Sequence, residues 1–80
     1  MNQVITPVNQ IGKTVKLLRE ERNLAQWKLA AQIGVAQSMI SHIENGGRNP
    51  SLDVVVKLAA FFDTTIDSLY NGQISPSHPG

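Results

Sequence analysis

An all-α fold of five short helices is what this sequence predicts, and three observations predict it. Apolar residues recur at helical spacing in five separate runs. The breaks between those runs carry helix stop and start signals: Asn23, Gly34, Asn45-Gly46-Gly47 and Asn71-Gly72 as stops, Ser51 and Thr65 as starts. Finally, 80 residues with 41% apolar and 16% charged content are enough for one small folded domain.

Taken in order, residues 1–9 are polar, contain Pro7 and show no helical period, which predicts a flexible arm. A first helix over about residues 10–22 puts Ile11, Val15 and Leu18 on its core face. Asn23 suits a left-handed stop, after which Leu24 turns back toward the core. Two short helices follow, 26–33 and 37–44, hinged at Gly34; Arg48-Asn49 forms a loop. Ser51 is the N-cap of the fourth helix, with Asp53 near the positive end of its dipole. Leu52, Val55, Leu58, Ala59 and Phe62 face inward there, leaving Val54, Val56 and Phe61 surplus to one face. Thr65 caps a last helix, 66–70, that buries Ile66 and Leu69. The domain proper is therefore 10–71, and 72–80, rich in Pro, Ser and Gly, is a flexible tail.

The stretch 26–45, QWKLAAQIGVAQSMISHIEN, carries the chemistry. Leu29, Ala30 and Ile33 share one face before Gly34, and Ile40 and Ile43 share one after it. Small Ala30 permits close approach, and Gly34 supplies the backbone freedom of a tight turn, so the pair reads as a helix-turn-helix. The outward face of its second helix holds Gln37, Ser38, Ser41 and His42. These uncharged donors and acceptors suit base edges in a major groove.

Charge agrees with a polyanion partner on that half. Residues 1–50 hold six bases against three acids, whereas 51–80 hold one base against three acids, and the overall charge is only +1. With no cysteine there is no disulfide or thiolate metal site, and His42 and His78 lack ligand spacing, so no cofactor or metal is expected. No apolar run is long enough for a membrane span and no signal peptide is evident, which points to a cytoplasmic, nucleoid-associated protein. Neither a phosphate-cradling loop nor a catalytic constellation is present, so an enzyme is not expected, nor a small-molecule effector.

The runs LLREERNLAQWKLA, IGVAQSMISHIENGGRNPSL and VVKLAAFFDTTIDSL resemble the phage-repressor and Cro-like (Xre-type) helix-turn-helix family, over residues 11–69. The resemblance implies a lambda-repressor-like domain that binds a palindromic double-stranded DNA operator as a homodimer, usually as a repressor. It implies base contacts from Gln37, Ser38, Ser41 and His42, and phosphate contacts from Gln26, Asn45 and Arg48; the basic side chain of Lys28 is a further candidate phosphate contact. It also implies a structural ion pair between Arg19 and Glu44. Dimerisation in relatives uses the C-terminal region, where Val54, Val56, Phe61 and Tyr70 are the surplus apolar residues.

Two departures stand out. Relatives place Ser or Thr as N-caps where this chain has Ala25 and Ala36, and each alanine forgoes about 1 kcal/mol. Trp27 and Ala31 replace an acidic patch through which some relatives activate transcription, which favours repression. Alternatives within the fold are an antitoxin paired with a toxin, a restriction-system controller, or a protein-interaction module that has lost DNA binding.

Overall fold

The computed structural model describes residues 10–72; the expected arm and, from residue 73 on, the expected tail lie outside these described residues, while Gly72 is the C-cap of the last helix. Five helices are found: α1 (Ile11–Glu21), α2 (Gln26–Ile33), α3 (Gln37–Glu44), α4 (Leu52–Phe62) and α5 (Ile66–Asn71). The described residues contain no strand.

Each break has a local chemical reason. Asn23, Gly34 and Gly46 take left-handed backbone at φ 52°, 75° and 81°. The chain then folds back so that Leu24, Val35 and Gly47 donate their N–H groups to the carbonyls of Arg19, Ala30 and His42, satisfying orphan helix acceptors. Asp63 does the same work after α4 at φ 56°, with the Thr64 N–H on the Ala59 carbonyl. At the starts, the Ser51 hydroxyl accepts from the Val54 N–H, and the Thr65 hydroxyl accepts from the Ser68 N–H at 2.9 Å. Ala25 and Ala36 hold the same extended backbone before α2 and α3 but supply no side-chain cap.

The core is the meeting of all five helices. Val15, Leu29, Ile40, Val55, Leu58 and Leu69 are fully enclosed, one or more from every helix. Each fully buried aliphatic side chain contributes about 1.5–3 kcal/mol, so these six alone supply much of the driving force.

On α4 the inward set differs from the expected one by a swap. Leu52 was expected inside and is 68% exposed, whereas surplus Val54 is buried. Leu52 is the first residue of α4, and a helical side chain leans back over the turn preceding it. Leu52 therefore overhangs the end of the core, and Val54 pairs with Leu58 along the buried stripe. Ile66 is only partly buried, at the rim where α5 begins, while Phe61 rests edge-on against Phe62 with centroids 5.0 Å apart.

Arg22, an isolated cation in the sequence, is a staple. It donates to the carbonyls of Leu18 and Phe62 and lies 5.0 Å from the Phe62 ring centroid, tying the ends of α1 and α4 together.

Candidate nucleic-acid interface

Helix α3 is displayed by locking its opposite face. Ile40 and Ile43 are sunk in the core, and so is the small Ala30 of α2. What remains outward on α3 is Gln37, Ser38 and His42, exposed, and Ser41, half-buried. Met39 is also half-buried, packed on the core margin. The polar four share one face of a helix about 12 Å long, short enough to enter a groove by its N-terminal turns.

The far end of α3 is clamped. The Arg19 guanidinium meets the Glu44 carboxylate in a fork, Nε on Oε2 at 2.6 Å and Nη2 on Oε1 at 2.9 Å. Its remaining nitrogen, Nη1, donates to the Leu24 carbonyl at 2.8 Å. The two side chains are only 12% and 2% exposed. The hydrogen-bonded Glu44 carboxylate raises the Arg19 pKa above its ordinary value, and burial opposes that rise. Gln26, at the start of α2, donates Nε2 to Glu44 Oε1 at 3.0 Å. One N–H of that amide is thus committed to Glu44, and its second N–H is left for an outside acceptor. Three donors on one carboxylate also quench a negative charge that would otherwise repel phosphates.

The other candidate phosphate contacts are placed as follows. Asn45 follows α3 as its C-cap, exposed, with its N–H on the Ser41 carbonyl. Arg48 is exposed in the succeeding loop. Lys28 is exposed on α2, its ammonium 5.7 Å from the Trp27 ring centroid, and Trp27 itself is 58% exposed. Among the described residues, no group of three or more His, Asp and Glu is placed to hold a metal ion. No described helix is long and apolar enough to cross a membrane.

Reading the sequence missed one residue at this site. Gly12, in the first turn of α1, lies so close to α3 that a Cβ there would overlap the carbonyl oxygen of Ile43 and stand 3.3 Å from that of Glu44. The signal was a glycine inside a helical pattern, which marks close backbone approach.

A family model described as a helix-turn-helix, HTH_3, matches residues 15–69. The chain belongs to this family. It is 34% identical over 71 residues to the HTH-type transcriptional regulator SinR of Bacillus licheniformis, covering 88% of this chain and 64% of SinR. The antitoxin HipB of Escherichia coli is 36% identical over 56 residues, 70% of this chain and 60% of HipB. Among solved structures, the restriction-modification controller C.AhdI of Aeromonas hydrophila is similar with a TM-score of 0.71 at 32% identity. That match covers 79% of this chain and 96% of C.AhdI. SinR in complex with DNA gives a TM-score of 0.69 at 35% identity, over 74% of this chain and 95% of that one. The chain spans only part of several curated relatives, 31% of the activator BcrR of Enterococcus faecalis and 45% of AnsR of Bacillus subtilis.

Proposed function

We propose that this HTH_3 protein is a sequence-specific, double-stranded DNA-binding transcriptional regulator, a repressor acting in the cytoplasm. It binds a palindromic operator as a homodimer through α3. The observation that carries this is the division of α3: an apolar face fixed in the core, and an outward face of uncharged hydrogen-bonding groups, Gln37, Ser38, Ser41 and His42. An amide such as that of Gln37 matches the paired donor and acceptor of adenine, and the hydroxyls accept either kind of base edge. Gln26, Lys28, Asn45 and Arg48 flank that face as phosphate contacts that fix the register. A polar α3 also argues against a pure protein-interaction module, which would present apolar anchors. Nothing in this chemistry calls for catalysis, and the reading assigns the protein no enzymatic step.

Dimerisation through the C-terminal region would set two α3 helices about 34 Å apart, one turn of duplex. Trp27, where some relatives carry an acidic activating residue, supports repression over activation.

A gel shift against random-sequence duplex at low salt tests the DNA-binding claim. Binding whose log affinity falls linearly with log salt is the expected result. No shift at low salt would assign the fold to protein interaction instead. The likeness to C.AhdI and HipB supports a second reading, a controller or an antitoxin with a toxin partner. Co-purification of a stoichiometric partner that raises operator affinity distinguishes it.

A further inference from the structure

We infer that Gly12 is a positioning residue for DNA reading, because its missing side chain lets α1 set the height and tilt of α3. The inference rests on the DNA-binding reading above. Gly12 and Arg19 are seven residues apart, two helical turns, so they fall within about 20° of one another on the α1 surface. Both meet the same end of α3. At Gly12 the α1 backbone lies directly on the Ile43 and Glu44 carbonyls. At Arg19 the guanidinium grips the Glu44 carboxylate.

The two contacts do different things. The ion pair fixes where the Glu44 side chain ends, but long side chains tolerate small changes in helix separation. The Gly12 contact involves backbone on both sides and has no such slack. A methyl at Gly12 must displace either α1 or the last turn of α3. That turn is closed by the Asn45, Gly46 and Gly47 N–H groups on the Ser41, Ile43 and His42 carbonyls, so it moves as a unit with the outward Ser41 and His42. Alanine is a better helix former than glycine, so local propensity favours Gly12→Ala; any loss comes from the contact.

The test compares wild type, Gly12→Ala and Val55→Ala, the last a buried truncation on α4 that serves as a stability control. Each is titrated, well below its melting temperature, with a duplex selected by wild type from a random pool and with random-sequence duplex. Gly12→Ala is expected to lose about tenfold or more in affinity for the selected duplex while its affinity for random duplex stays within about twofold. Val55→Ala is expected to keep the wild-type ratio. Without DNA, amide NMR shifts that move for Ser41 to Asn45 and for the Arg19 Nε–H are expected for Gly12→Ala alone. A folded Gly12→Ala with the wild-type affinity ratio and unmoved α3 resonances overturns the inference. Failure of wild type to select any sequence overturns the DNA reading and with it the role of Gly12 in that reading; the NMR comparison then decides only whether Gly12 sets the position of α3. Where Gly12→Ala alone does not fold, the same substitution is compared in an Ala25→Ser/Ala36→Ser background.

Discussion

Replacing Glu44 by alanine strands a guanidinium that has little access to water. Arg19 loses two charge-assisted bonds, each worth about 1.5–3 kcal/mol, and Gln26 loses one neutral–charged bond. Two features soften that loss: Nη1 keeps the Leu24 carbonyl, and the Arg19 side chain is 12% exposed and can recruit some water. The net cost should be about 3–4 kcal/mol, at the lower end for a broken buried pair. Stability for a domain of this size is about 4–9 kcal/mol, so the variant sits near the edge of folding, with a melting temperature lowered by roughly 15–25 °C. Urea unfolding followed by far-UV circular dichroism measures it. Arg19→Met/Glu44→Leu, which removes both charges and refills the space, should recover most of the loss, giving strong non-additivity. The penalty should change little between low and high salt, because buried charges are poorly screened. The Arg19 pKa is raised in the folded state, so its contribution is complete below the ordinary arginine value and lost only above it; the Glu44→Ala penalty should be alike at about pH 6 and pH 8. Single variants that each cost under about 1 kcal/mol would refute the reasoning and make the pair equivalent to a surface ion pair.

Other expectations are direct. Ala25→Ser and Ala36→Ser should each add about 1 kcal/mol in thermal melts, since both alanines hold cap backbone without a cap side chain; two unchanged melting temperatures would discard the capping argument. Asp63→Gly should stabilise by about 0.5–1 kcal/mol, relieving left-handed backbone and removing an acid from the negative end of α4; a lower urea midpoint would mean that Asp63 has a favourable partner. Gln37→Ala should cost about 1–3 kcal/mol on a selected operator and little on random duplex. Arg48→Ala should weaken both alike and reduce the salt slope by about one.

Local chemistry made most of the fold legible. The bounds of α2 and α3 follow from Gly34, the apolar spacing and the Asn45-Gly46 stop, and the Ser51 and Thr65 hydroxyls cap α4 and α5. The errors fall where tertiary geometry decides between options that periodicity leaves equal. Leu52 and Val54 both fit an α4 stripe, and only the direction of a first-turn side chain separates them. Arg22 looks like any surface cation until α4 arrives beside α1 and offers the Phe62 carbonyl and ring. At the candidate site, no local pattern links Arg19 with Glu44, 25 residues away; the family pattern supplied that pair. Gly12 was passed over because its reason lies on another helix, in the Ile43 carbonyl. The outward face of α3 was legible since burying Ile40 and Ile43 leaves Gln37, Ser38 and His42 nowhere to point but outward.

The proposed regulation depends on α3 reading base edges. Selection of duplexes from a random pool by wild type and by Gln37→Ala tests that most directly. Wild type should enrich an inverted repeat with half-site centres about 10 base pairs apart, and Gln37→Ala should lose preference at one base pair in each half-site. No enriched sequence, or the same sequence enriched by both proteins, would contradict it.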